Sequence, residues 1–236
     1  MAKPLKIYTE ISIPQQIKAP DGSLSGIAVD TVREIQKRVG SSDPIQLVPW
    51  ARGYQEATTE PNVLLFSMGR TAEREHLFQW VGPVDELVFS LFVKAGSPIK
   101  IKNLNDAKKL HSIGVYKNDV RDLFLTKAGL TNLDRASDAV TNVKKVMAGH
   151  LDALASSESG IADLAKSAGF QASDLKAAYP FMRIQLYMAF SHGTPAETVS
   201  AWSGALAAMK KDKTFEHIYR KYDPTKALPG PALPPQ

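Results

Sequence analysis

Short apolar runs alternate with amphipathic stretches in the first part of the chain. From Asp30 to Val39 the apolar residues recur at helical spacing, and Gly40 is placed to end that helix. The run from Asn62 to Phe66 is apolar almost throughout, as expected for a strand covered on both faces. The predicted order is strand Leu5–Tyr8, loop Thr9–Asp21, helix Asp30–Val39, strand Ile45–Val48, helix Ala51–Thr58 and strand Asn62–Phe66. This alternation predicts a parallel sheet with crossover helices.

Two long apolar runs, Val84–Lys94 and Met182–Phe190, read as extended strands that flank a second unit of the same kind. The elements predicted between them are strand Ser112–Val115, helices Asp119–Lys127 and Ser137–Ala148, strand Ala153–Ala155 and helix Ser159–Ala168. After the second run, Thr194-Pro195-Ala196-Glu197 has the pattern of a capping box with proline at the first helical position. We therefore expect a helix from there to about Lys211, followed by another over Thr214–Tyr222.

The fold class predicted from this order is α/β, with two lobes joined by a two-strand hinge and each built on a mostly parallel sheet with flanking helices. We expect lobe 1 to comprise residues 4–90 with 191–223, and lobe 2 residues 91–190. Such an architecture places a ligand cleft between the lobes. The tail, 224–236, holds five prolines and is expected to be extended and flexible, the alternative being a docked strap.

Charge and composition exclude several classes of protein. The 29 basic and 24 acidic side chains give a net charge of +5, and the densest basic points, Lys144-Lys145 and Lys210-Lys211, fall on predicted helix faces. Because a nucleic-acid binder would show a basic stripe interleaved with aromatics, we expect no nucleic-acid partner. Hydrophobic residues make up 44% of the chain, which is ordinary for a protein with a buried core.

The absence of cysteine excludes disulfides, zinc ribbons and thiol catalysis. The five histidines are scattered without metal-ligand spacing, so the sequence predicts neither a metal nor a cofactor. No apolar run approaches the ~18 residues of a membrane span. The first residues, Met1 to Pro4, lead directly into a strand, so an export signal, if the protein has one, would lie outside this sequence.

Several segments resemble, in order, the signature segments of the family-3 solute-binding proteins, which have the type 2 periplasmic binding protein fold and serve polar amino-acid uptake. The similar segments are DGSLSGIAVD at 21–30, SMGRTAER at 67–74, WVGPV at 80–84, SIGV at 112–115 and GHLDA at 149–153. The resemblance extends from about Leu5 to Tyr222. It implies a periplasmic protein that closes around a small polar ligand and delivers it to an ABC permease. We expect it to be a monomer.

The segment from Ser67 to Arg74 follows a buried strand, so its polar groups can project at the carboxyl end of the sheet. A guanidinium matches a carboxylate bidentately, which an ammonium cannot do. The resemblance implies that Arg74 and Thr71 hold the acidic group of the ligand, with Ser67 and Gly69 beside them. The structural alternative is that Arg74 pairs with Glu73 or Asp85.

Three further residues of the first lobe are candidates for ligand contact. Arg70 is either a second anion ligand or a solvated side chain. Trp50 follows a strand, where the family often places an aromatic over the ligand, and its alternative role is packing. Glu10 follows the first strand and could accept from an ammonium or only hold its loop.

Two positions of the second lobe depart from the family pattern. At Asn118-Asp119 the family commonly has Gly followed by Ser or Thr, whose helix end receives a carboxylate, whereas Asp119 is expected to cap that helix itself. Ser157 stands where amino-acid binders tend to carry an Asp for the ammonium, and Glu158 is adjacent. We therefore expect standard L-amino acids to bind more weakly than another small carboxylate or polar metabolite.

Two other functions are open at the level of the sequence. The first is a sensory ligand-binding ectodomain. The second is an enzyme on the same scaffold, since some relatives of this fold are dehydratases. Elimination would need a general acid, and the carboxyl groups with a plausible position are Glu10, Glu158 and Asp119. We expect no catalytic residue and a non-enzymatic protein.

Overall fold

A computed structural model describes residues 4–12, 15–224 and 226–234. The chain forms two compact units. Unit 1 comprises Met1–Glu86 and Ile184–Gln236, and unit 2 comprises Leu87–Arg183. The sequence places the lobe boundaries a few residues later, at 90/91 and 190/191. Both pairs of boundaries fall within the two long strands described below.

Unit 1 begins with a parallel sheet. Its elements, in chain order, are β1 (Lys6–Thr9), β2 (Ile17–Lys18), β3 (Leu24–Ser25), α1 (Ile27–Val39), β4 (Ile45–Leu47), α2 (Trp50–Thr59), β5 (Val63–Gly69), a 3-10 turn (Glu75–Leu77) and the start of β6 (Gln79–Lys94). Strand β1 pairs in parallel with β4 on one side and β5 on the other. Helix α1 begins at Ile27, three residues earlier than predicted, because Ile27 and Val29 are fully buried. Gly40 ends it in the left-handed region, with φ at 71°, as predicted.

Unit 2 repeats the α/β pattern. Its elements are the end of β6, α3 (Leu104–Ala107), β7 (Ile113–Tyr116), α4 (Val120–Lys127), β8 (Leu133–Ala136), α5 (Ala139–Met147), β9 (Ala153–Ser157), α6 (Ile161–Ser167), a 3-10 turn (Ala172–Asp174) and the start of β10 (Leu175–Phe190). Strand β7 pairs in parallel with β8 and β9, and β6 pairs antiparallel with β9. A cluster of buried apolar side chains from β6, α5, β9 and α6 forms the core of this unit.

The chain returns to unit 1 through β10, whose last residues pair antiparallel with β5, and continues into α7 (Ala196–Lys211) and α8 (Thr214–Tyr222). The predicted capping box at the start of α7 is wrong. Pro195 is the N-cap rather than the first helical residue, and no side chain caps the helix. The Thr194 hydroxyl is buried and lies 3.1 Å from the Ser191 hydroxyl, so it is engaged away from the helix end.

The described part of the tail contacts unit 1, which is the arrangement of the strap alternative. The Lys226 ammonium lies 2.6 Å from a carboxylate oxygen of Asp85, which is fully buried. The Gln185 amide donates to the carbonyl of Pro231 at 2.8 Å and accepts from the N–H of Leu233 at 2.9 Å. Proline-rich backbone has unpaired carbonyls, and here those of Pro224 and Lys226 also receive a side-chain donor, from Arg220.

No helix among the described residues is long and apolar enough to cross a membrane.

Candidate functional site

The site begins at a bulge near the carboxyl end of β5. Phe66 pairs with Met188 and Met68 with Tyr187, so the intervening Ser67 has no partner residue on β10. Ser67 has a φ of 62°, in the left-handed region that a non-glycine residue seldom occupies. A bulge of this kind redirects a side chain and is common beside functional sites. The Ser67 hydroxyl accepts a hydrogen bond from the side-chain amide of Gln16.

Arg74 lies beyond this bulge, one turn after Thr71, and its backbone N–H donates to the Thr71 carbonyl at 3.0 Å. Its guanidinium donates to the Gly69 carbonyl at 3.2 Å and lies 5.6 Å from the ring centroid of Trp50 and 5.4 Å from that of Tyr54. Among the ion pairs of the described residues, none includes Arg74. The predicted alternative partner, Asp85, is buried elsewhere with Lys226. The guanidinium is thus oriented by a carbonyl and two rings.

Two neighbours of Arg74 restrict the space around it. Gly69 lies in contact with β10, and a Cβ added there would come within 2.4 Å of the Ile184 side chain. A larger residue at position 69 would therefore force the Ile184 side chain to move. Thr71 is buried, with 8% of its surface exposed.

Arg70 is committed to a local ion pair. Its guanidinium donates to both carboxylate oxygens of Glu75, at 2.7 and 2.5 Å, and lies 5.1 Å from the ring centroid of Tyr187. The hydrogen bond that Arg70 donates to Glu75 raises the pKa of Arg70, and the same bond lowers the pKa of Glu75. The charge of Arg70 is thus balanced within the protein by Glu75.

Trp50 and Glu10 occupy the ends of neighbouring elements. Trp50 opens α2, and its ring lies 6.0 Å from that of Tyr54, one helical turn later. Both rings contact the Arg74 guanidinium, so at least part of Trp50 serves packing around that side chain. Glu10 is exposed directly after β1, and its carbonyl accepts from the Thr9 hydroxyl at 3.4 Å.

In unit 2, Asn118 and Asp119 form the start of α4. Asp119 is the N-cap and accepts from the N–H of Arg121 at 2.9 Å, which confirms the predicted capping role. It also forms an ion pair with the Arg121 side chain, whose guanidinium lies 5.3 Å from the Phe89 ring centroid. Asn118 has a φ of 61°, and its N–H donates to Asp122 at 3.0 Å.

Ser157 is the last residue of β9, Glu158 follows it, and both side chains form hydrogen bonds within unit 2. The Ser157 hydroxyl accepts from the Gly160 N–H at 3.2 Å, closing a turn before α6. A Glu158 carboxylate oxygen accepts from the buried Ser90 hydroxyl at 2.6 Å. Strand alternation alone predicts that Glu158 points away from Ser157, and its bond to β6 gives it a structural role of its own.

The structure brings some of the predicted ligand-contact residues close together, and three further residues contact them. Within unit 1, Arg74 contacts both Gly69 and Trp50, while Ser67 lies earlier on the same strand. The residues missed from the sequence are Tyr54, Gln16 and Arg121. Tyr54 could have been found, because it stands four residues after Trp50 and shares its helix face. Gln16 and Arg121 carry no local sequence signal.

The described ranges contain no group of three or more His, Asp or Glu side chains that could hold a metal ion. The candidate binding groups of unit 1 are a guanidinium fork, two aromatic rings and the Ser67–Gln16 pair. These groups can bind an anionic, hydrogen-bonding ligand.

Comparison with solved structures places the fold among periplasmic binding proteins. A histidine kinase sensor domain with similarity to periplasmic binding proteins superposes with a TM-score of 0.82 at 16% identity, covering 96% of this chain and 98% of that one. The arginine-, lysine- and histidine-binding protein ArtJ from Geobacillus stearothermophilus gives 0.76 at 18% identity, with 95% and 97% covered. A probable amino-acid ABC transporter extracellular-binding protein, ytmK from Bacillus subtilis, gives 0.78 at 15% identity, with 95% and 99% covered. At these identities the likeness shows the fold alone.

No curated protein sequence matches the chain significantly. The sequence model of the bacterial extracellular solute-binding proteins, family 3, matches residues 5–225, which is nearly the whole chain. The predicted α/β, periplasmic-binding-protein-like fold and the predicted resemblance are both confirmed. The chain belongs to the bacterial extracellular solute-binding proteins of family 3.

Proposed function

We propose that this protein is an extracytoplasmic solute-binding protein that binds a small polar, carboxylate-bearing ligand through unit 1 and delivers it to an ABC permease. Family membership supports the solute-binding role, and the relatives named as amino-acid ABC transporter components support the permease. In this role the ligand is bound and released chemically unchanged.

The orientation of the Arg74 guanidinium is the observation that supports a carboxylate on the ligand. A carbonyl and two rings hold its guanidinium, while the neighbouring Arg70 is neutralised by Glu75. Hydrogen bonding to one carbonyl uses only one of the five N–H donors of an arginine. The remaining donors suit a planar anion, because a carboxylate accepts two parallel bonds from a guanidinium.

A sensory ligand-binding domain is the second candidate. The superposition with a histidine kinase sensor domain, at a TM-score of 0.82, favours it specifically. The two roles share one binding chemistry and differ in the partner that reads the loaded protein. Stimulated ATP hydrolysis by a reconstituted importer would support delivery, whereas ligand-dependent autophosphorylation of a kinase that carries this domain would support sensing.

Replacing Arg74 by Lys tests the carboxylate role directly. We expect the variant to fold normally and to lose about 1.5–3 kcal/mol of binding free energy, the scale of a charge-assisted bidentate bond. Native mass spectrometry identifies any co-purified ligand, and a thermal-shift screen of small carboxylates supplies one otherwise. Calorimetry then measures the affinity of the wild type and the variant.

Arg52→Lys is the matched control, because Arg52 lies on α2 and its guanidinium pairs with Glu56 at 2.8 Å, apart from the site. It should leave the affinity unchanged. Equal affinity of the wild type and Arg74→Lys for a bound carboxylate would contradict the anchoring role.

A further inference from the structure

Gln16 brings a buried amide to the bulge of β5. Its backbone exchanges two hydrogen bonds with Ser12, at 3.2 and 2.7 Å, which fix its position after β1. The side chain is 1% exposed, and its Nε2 donates to the Ser67 hydroxyl. The Oε1 atom is buried and has no hydrogen-bond partner among the described residues.

Two energetic costs fall on this one contact. A buried amide oxygen without a partner costs about 1–3 kcal/mol, and such atoms are few in native proteins. A non-glycine residue in the left-handed region, here Ser67, adds on the order of 1 kcal/mol. Uncompensated costs of this kind concentrate where a protein binds something, since the ligand then supplies the missing partner.

The hydrogen bond between Gln16 and Ser67 also determines which ligand groups this pair can bind. The Ser67 oxygen accepts from Gln16, which leaves the proton of its own hydroxyl to be donated. The pair therefore presents an O–H donor beside a C=O acceptor. Two residues along the strand from Ser67, the Gly69 carbonyl holds the Arg74 guanidinium. Because Ser67 and Gly69 are two residues apart on β5, a carboxylate held by Arg74 would lie near the Ser67–Gln16 pair.

We propose that Gln16 is a specificity-determining residue of this site and that it selects a carboxylate with a neutral O–H or N–H donor next to it, most simply a 2-hydroxy acid. The inference rests on the proposed function, since it takes Arg74 as the carboxylate anchor. The ligand's donor group is expected to be neutral because the acceptor, the Gln16 amide oxygen, is itself uncharged. An amide oxygen satisfies a hydroxyl with one hydrogen bond, whereas a buried ammonium requires a carboxylate.

Matched sets of acids test the selectivity on the wild-type protein. Each set contains a carboxylic acid, its 2-hydroxy acid and its 2-amino acid, for example glutarate, 2-hydroxyglutarate and glutamate, over skeletons of different length and end group. We expect the 2-hydroxy acid of the best-binding set to bind at least about tenfold more tightly than either companion in calorimetry. Equal binding of the hydroxy acid and the plain acid, or tighter binding of the amino acid, would overturn the proposal.

Variants of Gln16 test the residue itself. Gln16→Met should lose the preference for the 2-hydroxy acid over the plain acid, because it removes the amide oxygen. A cooperative thermal transition checks that the variant is folded. Gln16→Glu should shift the preference to the 2-amino acid, because a carboxylate can pair with its ammonium. Gln46→Glu, at an exposed position of β4, is the charge-matched control and should change neither preference.

The outcomes separate this inference from the proposed function. If acids bind and Arg74→Lys weakens them while the Gln16 variants keep the selectivity of the wild type, only the role of Gln16 is lost. If no acid of any set binds, or Arg74→Lys has no effect, the carboxylate site itself is wrong and the inference is lost with it.

Discussion

Arg70 and Arg74 show how far single residues can be interpreted from sequence. Both lie in one segment that resembles a ligand-binding motif, and Glu75 is adjacent to Arg74 in sequence. In the structure Glu75 pairs with Arg70, five residues away, and Arg74 turns towards the rings of α2. The carboxylate partner depends on the turn geometry after β5, which residue types alone do not specify. Family resemblance pointed to Arg74, and the structure adds that the neighbouring Arg70 pairs with Glu75.

Asp122 is expected to make folding stability depend on pH. Its carboxylate is buried and accepts from the Asn118 N–H at 3.0 Å and from Arg135 at 2.9 Å. Burial acts to raise the pKa of Asp122, but these hydrogen bonds and the charge of Arg135 outweigh it and leave the pKa below its usual value. The stabilisation is therefore present above the unfolded pKa, about 3.9, and is lost as pH falls through the lower folded value.

Asp122→Asn should lower the unfolding free energy at pH 7 by about 1–3 kcal/mol. Thermal unfolding from pH 7 to pH 3 should show the gap between the wild type and Asp122→Asn narrowing below about pH 4, where the unfolded wild-type chain takes up a proton that the folded carboxylate does not. The exposed Asp163→Asn serves as the control and should show a small gap at every pH. A gap that stays constant down to pH 3 would show that the ionisation of Asp122 does not contribute.

At the scale of elements, helices and buried strands follow from periodicity, and their ends follow from tertiary contacts. The predicted strand Asn62–Phe66 ends three residues before β5 does, because the bulge at Ser67 carries β5 on to Gly69. Strand β8, Leu133–Ala136, was missed because its sequence, LDRA, alternates neither in polarity nor in size, and its pairing with β7 defines it. Local sequence patterns therefore predict which elements exist in the core. They do not predict edge strands, whose formation depends on pairing with a neighbouring strand.

The start of α7 gives a test at this scale. If a capping box existed, Glu197 would bond back to the helix start and its removal would cost about 1 kcal/mol. In the structure no side chain caps α7, and Glu197 is exposed. We expect Glu197→Ala to change the unfolding free energy by less than about 0.5 kcal/mol in chemical denaturation.

Thr194→Val is the companion variant. It removes the hydroxyl that lies 3.1 Å from the Ser191 hydroxyl in a buried position, and should cost more, about 1 kcal/mol or above. A larger loss of unfolding free energy for Glu197→Ala than for Thr194→Val would show that the capping box exists after all.

At the scale of the whole chain, the order of elements was predictable because each unit repeats the same β-α-β logic. The docking of the tail was not. Its composition is that of an extended, flexible segment. No residue near Lys226 in the sequence predicts its pairing with Asp85, 141 residues away. Asp85 itself lies in an apolar run that predicts a strand, where an isolated carboxylate is unexpected. Long-range charge pairing of this kind has no local pattern.

Lys226 should therefore control the docking of the tail. It is the cation nearest to Asp85, whose carboxylate also accepts from Gln15 at 2.7 Å and from the Tyr219 hydroxyl at 2.9 Å. Removing one partner of a buried pair can cost about 3–5 kcal/mol. The tail can detach, however, and admit water to Asp85, so the loss cannot exceed the free energy of docking. We expect Lys226→Met and a chain that ends at Pro224 to lose similar stability, by chemical denaturation, in the range of about 1–3 kcal/mol.

Two further variants make this expectation specific. Lys211→Met, on the exposed face of α7, controls for the loss of a positive charge and should be nearly neutral. Asp85→Asn combined with Lys226→Met should recover part of the stability lost in Lys226→Met, because no charge is then left buried without a partner. If Lys226→Met is as stable as the wild type while the shortened chain is not, the contacts of Gln185 with the tail backbone hold the strap, and the ion pair does not.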